Sequence, residues 1–240
     1  MPGTQYVALS GLRSRLDELD RLAADIANIS TPGYKGQRGS QKSSDRPSFG
    51  DELQTAIDSV SAGTRTDFRP GMTIATGRSL DAAIEGQGFF VVETDLGTRY
   101  TRDGHFSKSE TGELVSASGG VVQGTSGAIT LGPGELRIAD DGTVFAGNTK
   151  AGRLQVVTFD DPNKLLRDSG SQFRNEAGMT ASDVDQVAVH GASLEGSNVS
   201  LPEKMAQLVN VSRNFEGLQK SIATVMNEID GKAIEAFGRR

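Results

Sequence analysis

The sequence contains no cysteine. That single absence removes disulfides, thiolate metal sites and thiol catalysis together, while leaving an extracytoplasmic destination open. Tryptophan is missing as well and aromatics make up only 5%, little for an enzyme built on a thick α/β core. The 30 glycines among 240 residues suit an extended, turn-rich protein instead. Positive charge is not in excess: 25 Lys and Arg stand against 31 Asp and Glu, a net charge of −6. A role on nucleic acid or an anionic membrane therefore has no electrostatic support. No apolar run approaches the ~20 residues of a membrane span. The first thirty residues are amphipathic and carry acids through Asp25, unlike a secretory signal peptide. Work outside the cytoplasm would need a route that cleaves no such signal.

Recognisable chemistry is equally scarce. The two histidines, His105 and His190, fall in different predicted strands with no acidic or histidine partner at ligand spacing in sequence. Gly86-Gln87-Gly88 lacks the third glycine and the following helix of a dinucleotide loop. Asp140-Asp141-Gly142 has no EF-hand spacing around it and reads as a turn. Neither G-x-S-x-G, a Walker loop nor H-E-x-x-H occurs. The expectation is a protein that is not an enzyme, without catalytic, cofactor-binding or metal-binding residues and without a small-molecule substrate.

What is present begins at the N-terminus. From Tyr6 onward apolar residues fall at Leu9, Leu12, Leu16, Leu19, Ala23 and Ile26. This 3-4 alternation lays one seam along a helix, and such a seam needs a partner helix. The helix is expected to start near Gly3 or Thr4, with Thr4 able to cap it, and to run ~40 Å to Ile29. Its outer face would carry Arg13, Arg15, Asp17, Glu18, Asp20 and Arg21. Pro32-Gly33 stops it, since proline lacks a backbone donor and glycine tolerates the turn. Residues 36 to 47 contain no apolar side chain, the composition of a flexible linker. Phe49, Leu53, Ile57 and Val60 suggest a brief helix, followed by a second linker to Pro70-Gly71.

From about Met72 the pattern becomes β. Leu80–Ile84 and Phe89–Val92 flank Gly86-Gln87-Gly88, a strand, tight turn, strand reading. Further short apolar runs are bounded by turn residues at Asp103-Gly104, Thr111-Gly112, Gly119-Gly120, Gly132-Pro133-Gly134 and Asp141-Gly142. Leu154–Phe159 is the strongest strand, ended by Asp161-Pro162. After Gly196 the helical period returns. Ser200 reads as an N-cap with Glu203 closing a capping box, and Leu208, Val211, Phe215, Leu218, Ile222, Val225 and Ile229 hold a second 3-4 seam. The fold class expected is therefore α+β. N- and C-terminal heptad helices pair as a coiled coil, with a mostly antiparallel β domain inserted between them. The boundaries are 1–35 for the first helix, 36–79 for a flexible or extended segment, 80–196 for the β domain and 197–240 for the last helix. A helical hairpin that merely closes the domain is the plainer reading of the two seams.

Four segments in order resemble the axial proteins of the bacterial flagellum, the rod, hook and hook-filament junction family. Ala27-Asn28-Ile29-Ser30-Thr31-Pro32-Gly33-Tyr34-Lys35 resembles the family's A-N-x-x-T-x-G-[FY]-[KR]. The stretch from Thr76 to Phe90, with Leu80, Asp81, Gly86, Gly88, Phe89 and Phe90, resembles T-G-x-x-L-D-x-A-I-x-G-x-G-F-F. Leu194-Glu195-Gly196-Ser197-Asn198-Val199 resembles L-E-x-S-N-V, and Arg213-Asn214-Phe215-Glu216 with Lys220 resembles R-x-[YF]-E-x-x-x-K. Together the segments span almost the whole chain. Within the family the proximal rod member fits best, on length, on the proline of Thr31-Pro32-Gly33 and on Arg213–Glu216; the distal rod member is next.

The resemblance implies a mechanical function. Terminal helices would pair in an inner tube, a β domain would project outward, and subunits would polymerise into the periplasmic rod of the basal body that transmits motor torque. Implied partners are further copies of the chain, the rod proteins FlgG, FlgC and FlgB, and the flagellar type III export apparatus, which requires no cleaved signal peptide. A free-standing β binding module is the rival from a different class.

Overall fold

A computed structural model describes the backbone over residues 2–39, 64–184 and 188–237, with helix side chains over 11–27 and 201–224. The brief helix expected at Phe49–Val60, and residues 40–47 of the expected linker, lie outside the described residues. The protein is α+β, with two long helices and mostly antiparallel sheets. It separates into two compact units: Met1–Ala27, Gln37–Arg65 and Ser200–Arg240 form one, and Asn28–Gly36 with Thr66–Val199 form the other.

The helical unit contains Pro2–Ala27 and Leu201–Phe237. Proline stands at the first helical position, where its missing N–H costs nothing, so the first helix starts two residues before the expected Thr4 cap. It also ends at Ala27 rather than Ile29. The second helix starts right after Ser200, whose carbonyl accepts the Lys204 N–H at 3.0 Å. Pro202 therefore sits in the first turn, where it is tolerated. Gln37–Gly39 pairs with Thr64–Thr66 in a two-stranded ribbon.

The β-rich unit is built around Phe89–Thr94, a strand that pairs antiparallel with Gly97–Thr101, Val121–Gly124 and Val156–Thr158. The run Phe89-Phe90-Val91-Val92 is buried throughout, as befits a central strand covered on both faces. Its alternate side chains feed two apolar clusters. Phe90 joins Phe106, Leu114, Val122, Ile129, Val144 and Leu154; Phe89 and Val91 join Val157, Phe159, Leu165 and Phe173. The expected hairpins at Thr111-Gly112, Gly119-Gly120 and Asp141-Gly142 form, since the strands they connect pair.

Both strands of the 80–92 reading form, as Ala82–Ile84 and Phe89–Thr94 with a turn between them, but they do not pair with each other. Ala82–Ile84 pairs with Val189–Gly191, in a different sheet from Phe89–Thr94. The Gly86–Gly88 turn moves the chain between sheets and closes no hairpin. Nor is the described end of the 36–79 segment free of structure. Thr73–Ala75 pairs with Ser193–Glu195, and the Phe68 ring lies 5.5 Å from Phe89 and 5.1 Å from Phe173. The β-rich unit thus begins before Leu80 and takes in the segment that follows the first helix.

Candidate functional site

The segment leaving the first helix is folded into the β-rich unit. Asn28 O accepts the Thr31 N–H at 3.1 Å, the Thr31 hydroxyl reaches Asn28 Oδ1 at 3.2 Å, and Thr31 O accepts the Tyr34 N–H at 3.3 Å. Gly33 then takes φ +65°, and its N–H donates to Glu195 O at 2.7 Å. A Cβ at Gly33 would lie 2.3 Å from the backbone of Arg102 and Asp103. Only glycine satisfies both the left-handed backbone and that approach. The turn delivers Tyr34 and Lys35 into the interior, where Lys35 is 0% exposed.

Lys35 completes a buried charge cluster. Its Nζ donates to Glu195 Oε1 at 2.6 Å and to Arg69 O at 2.9 Å. The Gly71 N–H donates to the same Oε1 at 2.8 Å. Glu195 Oε2 faces Arg102 Nη1 at 3.5 Å, an ion pair beyond hydrogen-bond geometry. Arg102 also donates to the carbonyls of Ile84 and Gly86. Burial pulls the Lys35 ammonium below the ordinary lysine value, working against Glu195, which holds its proton on. Burial lowers Arg102 in the same way, again opposed by Glu195.

A second layer surrounds this cluster. Asn198 accepts the Gly36 N–H at 2.7 Å and donates to the carbonyls of Asp67 and Arg69 at 2.7 and 3.0 Å. The Arg167 guanidinium donates to Lys35 O and stacks over the Tyr34 ring at 4.5 Å. Segments 33–36, 67–71, 102 and 195–198 are thereby tied into one knot. The sequence motifs supply most of it. Gly33, Tyr34 and Asn198 are in contact there, Gly86 lends a carbonyl, and Ser197 Oγ accepts the Val199 N–H at 3.2 Å. Phe89, Phe90 and Leu80 serve the cores, and Gly88 abuts Val156. Asp81 is buried and holds the Thr76 hydroxyl at 2.7 Å and the Arg78 guanidinium at 3.3 Å. Ala27, Thr31 and Pro32 stay partly or fully exposed.

Both histidines have the acidic neighbour their sequence positions did not suggest: Asp81 at 3.2 Å from His105 and Glu85 at 3.2 Å from His190. Those contacts arise from strand pairing, for Asp81 bridges His105 and Ala83 is registered with His190. The Asp141 side chain serves its own turn, accepting the Thr143 N–H at 2.9 Å and hydroxyl at 2.8 Å.

In the helical unit the two seams lie differently from the expectation. Leu22 and Val211 are buried; Leu12, Leu19, Ile26, Leu208, Phe215 and Ile222 are half-buried. Leu16 and Leu218 stand in solvent at 46% and 40% exposure. The side chains of Leu9, Val225 and Ile229 lie outside the described residues, and Arg213 and Glu216 are exposed. The fully buried group beside Leu22 is an acid. Asp25 pairs with Lys204 Nζ at 2.8 Å and accepts the Gln37 N–H at 3.1 Å, while Lys204 also donates to Gln37 O at 3.2 Å. The two helices and the segment after the knot are locked by that one carboxylate.

Sequence reasoning missed Asp25, Lys204, Arg102 and Arg167 as site residues. It quoted Lys35 and Glu195 within motifs without pairing them. The available signal was that Lys35 and Glu195 carry opposite charge inside otherwise uncharged motif cores. Asp25 carried no such signal, since Glu18 and Arg21 share its helix face.

Two family models match the chain. One, described as the flagellar hook protein FlgE/F/G D1 domain, covers residues 83–146; the other, the flagellar basal body rod FlgEFG protein C-terminal region, covers 190–235. The chain is 31% identical to the flagellar basal-body rod protein FlgF of Caulobacter vibrioides, across 100% of this chain and 99% of that protein. It is 30% identical to FlgF of Salmonella typhimurium, across 95% of each. Similarity to FlgG of Bacillus subtilis is 30% identity over 91% of this chain and 93% of that one.

Proposed function

The chain belongs to the flagellar basal-body rod protein family, and from that premise we propose that it is a proximal-rod subunit of the FlgF kind. It polymerises through its terminal helices, paired as a coiled coil, and transmits motor torque within the periplasmic rod. The observation that carries this reading is apolar exposure along the long helices, where Leu16, Met205, Val209 and Leu218 stay 40–54% exposed; the β-rich unit closes its cores but also leaves Met72, Ile74, Leu96 and Leu166 open. Apolar helix faces left open in one chain are what association with neighbouring helices covers. Contacts between unlike faces extend as a helical filament when their rotation does not close into a ring.

The knot suits a load-bearing part. A charge cluster with most of its hydrogen-bonding atoms satisfied fixes 33–36 against 194–198, the two places where the chain passes to and from its helices. Delivery through the type III export apparatus and assembly beside FlgG, FlgC and FlgB complete the reading. Similarity to FlgG of Bacillus subtilis favours the distal rod as the second reading. Imaging basal bodies that carry a labelled copy of this chain decides between them: label at the proximal rod is expected, and label elsewhere overturns that placement. Leu16→Glu should leave the β-rich unit folded, by circular dichroism and thermal melting, yet abolish rod assembly; normal rods would refute assembly through this face.

A further inference from the structure

The C-terminal helix carries a second apolar ridge outside its 3-4 seam. Leu201, Met205 and Val209 recur at i+4 and are 39%, 54% and 46% exposed. At 100° per residue this ridge lies about a quarter-turn round the helix from buried Val211 and half-buried Phe215 and Ile222. The apolar arc from Val211 to Val209 spans about 160°, wider than one partner helix covers. Arg213 and Lys220 are exposed on the ridge's outer flank, and Glu216 is exposed in line with the ridge beyond Val209.

The N-terminal helix presents the counterpart. About a third of a turn from buried Leu22 lie exposed Leu16, Ala23 and Ala27, flanked on the side opposite Leu22 by exposed Arg13, Asp17 and Asp20. This strip holds one large side chain among small ones, so the projecting ridge of another helix can enter it. Its flank is predominantly acidic where the ridge's flank is predominantly basic.

We propose that the Leu201–Met205–Val209 ridge of one copy docks on the Leu16–Ala23–Ala27 strip of a second copy. The proposal rests on the rod-subunit reading and names the faces that reading leaves open. The two surfaces are unlike, so each subunit offers one and receives the other, and propagation is directional. Asp17 and Asp20 meet Arg213 and Lys220 along the rim and fix which way the neighbour lies, as rim charges do.

The lack of cysteine makes the test clean. Met205→Cys is combined in turn with Leu16→Cys, Ala23→Cys and Ala27→Cys in cells whose only copy is the variant, and isolated basal bodies are oxidised. At least one double variant should give a ladder of covalent multimers. Each single variant should remain monomeric, as should Ala23→Cys with Asn214→Cys, which faces the opposite side of the helix. Assembled rods without a ladder from any Met205 pair overturn the docking while leaving the rod reading intact. Dimers from Met205→Cys alone also overturn it, because they show ridge meeting ridge. If basal bodies isolated from wild-type cells lack this chain, the rod reading itself is overturned.

Discussion

Phe90 in the β-rich unit is fully buried against Phe106, their rings 5.1 Å apart and edge to face. Leu16 in the helical unit, a side chain of similar apolar character, is 46% exposed. The same contrast holds for charge. Lys35 and Glu195 are desolvated and paired within the β-rich unit, whereas Arg13, Asp17, Asp20, Arg213 and Lys220 line open helix surface. One region closes its cores inside the chain, with Met72, Ile74, Leu96 and Leu166 left on its surface. The other carries side chains whose partners the described residues do not provide. On the proposed reading stability and assembly rest on different residues, and substitutions should separate them.

The sharpest way to break the comparison is to remove the centre of the knot. Glu195→Ala leaves Lys35 and Arg102 buried without their counterion and should cost about 3–5 kcal/mol, the scale of a broken buried ion pair. Denaturant unfolding of the purified chain measures it, and a loss below about 1 kcal/mol would mean that water reaches the cluster. Next comes a matched pair of truncations. Phe90→Ala should cost about 3–5 kcal/mol through lost transfer energy and a cavity. Leu218→Ala, on the open helix, should change monomer stability by no more than about 0.5 kcal/mol. Equal costs would erase the distinction between the regions.

Smaller effects sharpen the picture inside the β-rich unit. Ala192 takes φ +51°, the only positive value at a non-glycine among the described residues. It stands where the chain passes from the strand paired with Ala82–Ile84 to the strand paired with Thr73–Ala75, and its carbonyl accepts the N–H groups of Thr76 and Gly77. Ala192→Gly removes ~1–2 kcal/mol of left-handed strain but adds unfolded-state entropy, so the melting experiment should show a net gain of about 0.5 kcal/mol. The smallest effect concerns pH. The Thr143 N–H and hydroxyl hold the Asp141 carboxyl below its ordinary value. Because the folded value is the lower one, this stabilisation is complete above the ordinary carboxylate value of about 3.9 and is lost as pH falls through the folded value. Asp141→Asn should therefore flatten the acid limb of the stability profile below about pH 4, where the native chain declines more steeply.

Local grammar made part of this molecule legible. Both helices, their approximate ends and three hairpin turns follow from periodicity, proline and glycine alone, because each depends on neighbours a few residues away. The pairing of Ala82–Ile84 with Val189–Gly191 does not, since nothing within the hairpin-sized window at 80–92 records a partner so distant. The knot was hidden for the same reason, although Lys35 and Glu195 both lay inside segments that the family resemblance had singled out. The seam of the first helix was misread in one respect. A strict 3-4 pattern turned Leu16 inward, but the buried line runs through Leu22 and Asp25, because the carboxylate binds Lys204 and Gln37 and so draws that face in.

The pairing distances also impose a sequence in time. Lys35 meets Glu195 across 160 residues, and Lys204 meets Gln37 across 167. Neither closure can happen while the chain is only partly delivered, and contacts between such remote residues form slowly because a long loop must first be brought together. A chain emerging N-terminus first would hold its first helix unlocked until residues 195 and 204 had followed it. In any chain that emerges in that direction, the helical unit closes only after about five-sixths of the sequence has followed.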